Sequence, residues 1–278
     1  KMLKARTLIR PIHSTIRTLS SLSRQQTGPD PPPQKNSESL NEALLEMATL
    51  GLQVDPAVYG SLLAECINRR AYQEGQRVHS HMIKTCCVAP VYVDTRLVIL
   101  YVKCDALGDA RQVLEGMPER NIVSWTAMIS GYSQKGHRLE ALGLFVRMMA
   151  TGLLPNEFTL ASILTSCAGP CGLEYGRQVH TLAIKTSFES HIFVGSSLLD
   201  MYAKASEIHE ARRVFDDLNE RDVVSCTAII SGYAQLGLDN EALELFQKLY
   251  KQGMKCNYVT FASLLTALSG PPPCTCFP

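Results

Sequence analysis

IVSWTAMISGYSQKGHRLEALGLFVRMMATGLLPN, residues 122–156, returns 101 residues later as VVSCTAIISGYAQLGLDNEALELFQKLYKQGMKCN, residues 223–257. The two stretches agree at 17 of 35 positions. The flanks keep the offset: Leu63, Cys66, Gly75, Val78 and His79 recur as Leu164, Cys167, Gly176, Val179 and His180. Tyr101, Lys103, Ala110, Arg111, Glu119 and Arg120 recur as Tyr202, Lys204, Ala211, Arg212, Glu220 and Arg221. Internal periodicity on this scale signals an array of small stacked units. The period divides into units of 35, 31 and 35 residues, tiling the chain as 56–90, 91–121, 122–156, 157–191, 192–222 and 223–257.

Each unit reads as two helices. In 122–156 the first is expected from Ser124 to Ser133, with Ser124 as its cap and Val123, Met128, Ile129 and Tyr132 as its apolar positions. The second is expected from Leu139 to Ala150, with Leu139, Leu142, Leu144, Phe145 and Met148 as its inner stripe. Lys135-Gly136 makes the turn, because glycine enters the left-handed region without penalty. One such hairpin cannot bury both its faces, so neighbours must stack. The expected fold is all-α, a right-handed superhelical solenoid of helix-turn-helix repeats over 41–270. Asn41–Asp55 reads as the second helix of an earlier unit, and Tyr258–Ser269 as the first helix of a seventh.

Charge divides the chain differently. Of its 278 residues, 27 are Lys or Arg and 26 are Asp or Glu, a net charge of +1. Residues 1–26 hold six basic residues and no acid, which leaves the remainder at −5. An Arg- and Ser-containing, acid-free amphipathic N-terminus has the composition of an organelle presequence. The spread of Arg6, Arg10, Arg17 and Arg24 favours a mitochondrial over a plastid address. Residues 27–40, with three successive prolines, read as a linker, and 271–278 as a Pro/Cys tail. No apolar run reaches the length of a spanning helix, so no membrane partner is expected.

Catalytic signatures are missing from the sequence. No C-x-x-C pair, phosphate-binding loop, nucleophile elbow or H-E-x-x-H occurs, and no H-x-E precedes a P-C-x-x-C. The ten cysteines read as free thiols, most inside helical patterns, acting as small hydrophobes. His79 and His81 lie two apart and so face different sides of a helix. The expectation is a chain without enzymatic activity, metal or cofactor.

The segments ERNIVSWTAMISGYSQKG, LEYGRQVHTLAIKTSFESHIFVGSSLLDMYAKA and ARRVFDDLNERDVVSCTAIISGYAQLG resemble plant pentatricopeptide repeat proteins of the P-L-S subclass. The alternation of 35-, 35- and 31-residue units fits that subclass as well. The resemblance implies sequence-specific binding of single-stranded organellar RNA, selecting transcript sites for C-to-U editing or processing. The family's C-terminal extension and deaminase-like domain have no counterpart in the sequence, so catalysis is expected from an editing partner protein. In the family the fifth and last residues of each unit read one base. Mapped here these are Thr95/Asn121, Thr126/Asn156, Ser196/Asp222 and Thr227/Asn257. Gly60/Pro90 and Ala161/His191 break the pattern. The family's approximate code turns these pairs into an RNA core A-A-x-G-A, 5′ to 3′. The resemblance also implies that Tyr92, Val123, Phe193 and Val224, second in their units, pack against bases.

Competing readings accompany this one. Asn or Asp before a helix, and Ser or Thr in its first turn, are also ordinary caps. Lys84, Lys185, Lys103 and Lys204 could meet phosphates or simply cover a solvated face. A protein-binding scaffold of tetratricopeptide type is partly matched by Trp125, Tyr132, Ala141, Phe145 and Pro155 but fails at Ile129, where glycine is required. The closing GPPPCTCFP suggests a further alternative, a truncated gene product.

Overall fold

The computed structural model describes Leu45 and residues 54–218, 220–253 and 257–268. The expected presequence, linker and tail, and all but Leu45 of the earlier half-unit up to Gln53, lie outside the described residues. The described chain is all-α, and no strand occurs among the described residues. Among the described residues from 54 onward thirteen α-helices follow, the first twelve in pairs: α1 Pro56–Arg69, α2 Tyr72–Lys84, α3 Val91–Lys103, α4 Leu107–Gly116, α5 Ile122–Gln134, α6 Arg138–Ala150 and α7 Glu157–Cys167. They continue as α8 Leu173–Lys185, α9 Ile192–Lys204, α10 Ile208–Asp217, α11 Val223–Gln235, α12 Asp239–Lys251 and α13 Tyr258–Leu268. None is long and apolar enough to cross a membrane among the described residues.

The chain divides into two compact units, one through Met128 and one from Ile129. In the first, α3 packs beside α1 and against α4. Tyr59, Leu63 and Cys66 of α1, Val78 of α2, Val93, Leu97, Val98 and Leu100 of α3, and Ala110 and Leu114 of α4 are fully or almost fully buried. Each large apolar side chain removed from water contributes about 1.5–3 kcal/mol. Helices α2 and α3 meet at a glycine: a Cβ on Gly75 would collide with Leu100 Cδ2. In the second unit α7, α9, α11 and α13 pack in succession, with α8, α10 and α12 laid against them. Leu160, Ile163, Leu164, Cys167, Leu198, Leu199, Met201, Ala211, Ile229, Ile230 and Ala242 form that core.

The turns repeat with the sequence. Gly136 and Gly237, 101 apart, have φ of 75° and 69° and close the turns after α5 and α11. Glycine takes this left-handed backbone readily. The linkers before α5 and α11 hold two helix ends at once. Arg120 donates to the carbonyls of Leu114 (2.6 Å) and Glu115 (2.7 Å), and Arg221 to those of Phe215 and Asp216 (both 3.2 Å). These carbonyls are orphan acceptors at the ends of α4 and α10. The next residue, Asn121 or Asp222, caps the helix that follows.

Two details of the expected hairpin differ. Ser124 is not the cap of α5, because Asn121 holds that place: its Oδ1 accepts from Ser124 N at 2.8 Å. The Ser124 hydroxyl donates back to the Asn121 carbonyl at 2.9 Å and is buried within the first turn. Leu139 is not on the inner stripe of α6, and 78% of it is exposed. The buried stripe runs Ala141, Leu144, Phe145 and Met148, at helical spacing from Ala141, and Leu139 falls off that line.

Candidate nucleic-acid interface

The pairs expected to read bases stand at helix starts, and the caps explain why. The last residue of each reading unit accepts a backbone N–H from the third residue beyond it. Asn121 Oδ1 takes Ser124 N (2.8 Å), Asn156 Oδ1 takes Thr159 N (2.9 Å), Asp222 Oδ1 takes Ser225 N (2.7 Å) and Asn257 Oδ1 takes Thr260 N (2.9 Å). At Asp222 the cap is reciprocal, since Asp222 N donates to Ser225 Oγ at 3.1 Å. At Asn156 and Asn257 the same Oδ1 also accepts the threonine hydroxyl, at 2.7 and 2.9 Å. Each cap satisfies an otherwise orphan donor of the helix N-terminus.

The fifth residues lie one turn into the first helices. Thr95 and Ser196 are 5% and 8% exposed, and their hydroxyls come within 3.5 Å of Asn121 Oδ1 and Asp222 Oδ1. The structure therefore brings both 31-residue units' pairs together. Thr95 and Thr227 donate to the carbonyls of Val91 and Val223, each at 2.6 Å, which fixes their rotamers. Thr260 lies between Thr227 and Asn257, its hydroxyl 2.7 Å from the Thr227 hydroxyl and 2.9 Å from Asn257 Oδ1. Thr126 and Asn156 fall in different compact units; Thr126 is partly exposed on α5, and Asn156 caps α7.

The caps use one atom of each side chain and leave the other uncommitted to the helix. The helix takes Oδ1, which fixes which end of each side chain is left over. Asn121, Asn156 and Asn257 retain an Nδ2 that only donates, while Asp222 retains an Oδ2 that only accepts. Recognition of Ser124, Thr159, Ser225 and Thr260 as the partners of these caps was missed by the sequence reading. The spacing of three from each Asn or Asp was the available signal.

Beside these pairs stands a set of apolar side chains that the fold leaves uncovered. Tyr92, Val123, Phe158, Phe193, Val224 and Val259, each second in its unit, are 39–59% exposed. In the second compact unit Phe158 and Phe193 face one another with centroids 5.7 Å apart, and His191 lies 5.7 Å from Phe193. The aromatic faces among them, Tyr92, Phe158 and Phe193, are suited to stacking against bases. The four lysines are all exposed, but Lys204 is paired with Asp200 at 2.8 Å, whereas Lys103 forms no ion pair among the described residues.

Chemistry elsewhere is quiet. No group of three or more His, Cys, Asp or Glu is arranged to hold a metal among the described residues. Burial pushes the Cys66 thiol up to about 12 and the Cys167 thiol to about 11, which keeps both protonated and unreactive. His79 and His81 do face apart: His79 Nδ1 lies 2.9 Å from the Tyr101 hydroxyl, His81 Nδ1 2.9 Å from that of Tyr59. His180 and Tyr202 repeat the first pair at 2.9 Å. Burial lowers both His79 and His180 from the ordinary histidine value.

Comparison with known proteins matches residues 120–169 and 221–270 to the PPR repeat family and residues 196–223 to the PPR repeat. A putative mitochondrial pentatricopeptide repeat-containing protein of Arabidopsis thaliana is 62% identical over 231 residues, covering 83% of this chain and 37% of that protein. A chloroplastic one from the same plant is 40% identical over 206 residues, covering 74% and 33%. The chain thus spans about a third of the length of these curated relatives. Among solved structures, the pentatricopeptide repeat protein PPR10 from maize superposes with a TM-score of 0.62 at 18% identity, over 84% of this chain and 34% of that one. PPR10 in complex with an 18-nt psaJ RNA element gives 0.55 at 17% identity, over 93% and 45%. At these identities the structural likeness establishes the shared helical-repeat fold.

Proposed function

Because this chain belongs to the pentatricopeptide repeat family, we propose that it binds single-stranded organellar RNA sequence-specifically, one base per reading unit. The observation that carries this is the divided use of the unit-closing side chains. Each commits Oδ1 to a helix cap and leaves one atom of known polarity at the helix start. A base presents donors and acceptors on its Watson–Crick edge. The free Nδ2 of an Asn suits a base with an acceptor at that edge's centre, as in adenine or cytosine. The free Oδ2 of Asp222 suits a central N–H, as in guanine or uracil. The hydroxyl of Thr95, Thr126, Ser196 or Thr227 supplies the second contact, and a purine reading at each gives A-A-x-G-A. The uncovered second residues of the units supply stacking surface beside those edges.

The named relatives include mitochondrial and chloroplastic proteins, and the acid-free basic N-terminus fits the mitochondrial address. PPR10, of the same fold, has been crystallised with an RNA element. We assign this chain the selection of transcript sites for modification, C-to-U editing in the first place, or for processing. We assign the chemistry itself to an editing partner protein. Gel shifts of A-A-x-G-A RNA against versions carrying C at each read position test the base assignment. Tighter binding of the parent core is expected; equal binding of all versions refutes it.

A further inference from the structure

The unit 56–90 offers no reader, since Gly60 has no side chain and Pro90 no donor, yet its helix start is not empty. A Cβ built on Gly60 would stand 2.7 Å from Arg96 Nη1 and 3.0 Å from Tyr92 Cε2. The guanidinium of Arg96 leans toward the Tyr92 ring, 5.7 Å from its centroid. Glycine inside α1 is a poor helix former, and a Cβ there would oblige the Arg96 guanidinium to shift from its present place. Arg96 is only partly exposed and forms no ion pair among the described residues. By contrast Arg111, Arg177, Arg212 and Arg213 each have a carboxylate within 3.1 Å. The repeat does not dictate this arginine, because 101 residues later the equivalent position is Ser197.

An unpaired guanidinium held against an aromatic ring, next to Thr95 of a proposed reading pair in the same compact unit, is built for an anion. We propose that Arg96 is an RNA-phosphate ligand, and that it replaces base reading in unit 56–90 with a sequence-independent backbone contact to the nucleotide 5′ of A-A-x-G-A. The inference rests on the RNA-binding reading above. Phosphate is favoured over a base because the guanidinium itself occupies the space beside position five. Neither Gly60 nor Pro90 can add the second hydrogen bond that a base edge would need. A phosphodiester needs only the planar fork of donors that arginine presents. Tyr92 keeps that fork in place, and Gly60 leaves room for it.

The test is fluorescence anisotropy of the full chain with labelled N-A-A-x-G-A RNA across a salt series, for wild type, R96Q, R96K and G60A. N is each of the four bases and an abasic nucleotide. The wild type's preference for A-A-x-G-A over its C-substituted versions reports the base-reading hypothesis separately. R96Q is expected to bind about 3- to 10-fold more weakly at low salt, by the same factor for every N. Its log–log salt slope should be shallower by about 0.7, the value of one single-strand phosphate contact. R96K retains the charge and should keep the slope. G60A should weaken binding in the same direction by displacing the guanidinium. Melting temperatures of all four proteins check folding. An unchanged slope and affinity in folded R96Q overturn the proposal. So does a loss that depends on the identity of N, since that would make Arg96 a base reader. Loss of A-over-C preference in wild type with a normal R96Q effect would sink the base assignment alone.

Discussion

Asp222→Asn exchanges one atom at one reading position and should reverse its base preference without unfolding the helix it caps. In the wild type, Asp222 Oδ1 accepts from Ser225 N at 2.7 Å, and Oδ2 is the carboxylate oxygen the cap does not use. Asn caps as well as Asp, so α11 keeps its first turn. What is lost is the charge at the helix N-terminus, about 0.3–1 kcal/mol, or roughly 1–4 °C in melting temperature for a chain of this size. The effect on RNA is larger. Guanine N1–H now meets an N–H instead of a carboxylate, so a hydrogen bond to a charged group is replaced by two opposed donors. Leaving such a donor unsatisfied costs about 1–3 kcal/mol, roughly 5- to 150-fold in Kd. Adenine, with an acceptor at N1, gains the matched contact by a similar amount. Fluorescence anisotropy with A-A-x-G-A and A-A-x-A-A RNA should therefore show the preference cross over from G to A. Asp222→Ala is the companion variant. It removes both the cap and the reader, and should lose about 0.5–2 kcal/mol of stability together with any preference. An unchanged G preference in Asp222→Asn, or an Asp222→Ala protein that still discriminates, would refute the division of the side chain into a capping and a reading atom.

Three further outcomes are expected. His79 and His180 are held below the ordinary histidine value by burial, so the native state binds fewer protons than the unfolded chain. Their stabilising contribution is complete above about pH 6.5 and is lost as pH falls below it; melting temperature should drop as pH is lowered through and below about 6.5, and H79Q/H180Q should flatten that drop. Gly75→Ala should destabilise by about 1–3 kcal/mol in urea melts, because its Cβ would collide with Leu100 Cδ2. Gly143→Ala, with open space around it in α6, should stabilise by about 0.5–1 kcal/mol; the same sign for both would contradict the packing between α2 and α3. Maleimide at mildly alkaline pH should label exposed Cys86 and Cys171 in the native protein, and Cys66 and Cys167 only after denaturation, as read by mass spectrometry.

The sequence by itself determined the helices and their spacing. Apolar residues at helical period, Gly136 and Gly237 at the turns and the 101-residue offset suffice, because these are local or self-repeating signals. It also placed Asn121, Asn156, Asp222 and Asn257 at helix starts, where one residue type can either cap or read. Only the tertiary structure decided how these side chains are used. That the Thr95 and Ser196 hydroxyls come within 3.5 Å of Asn121 and Asp222, 26 residues away, depends on each unit's end returning to the start of its first helix. That Leu139 faces water while Ala141 is buried depends on how α6 is rotated against its neighbours, which a broad apolar stripe leaves open. Arg120 and Arg221 recur legibly, but the carbonyls they hold become orphans only once α4 and α10 end where they do. Gly60 and Arg96, 36 residues apart, carry no local signal of each other. Their meeting is a product of α1 packing beside α3, and contacts between side chains on different helices are fixed by packing, which no single stretch of sequence encodes.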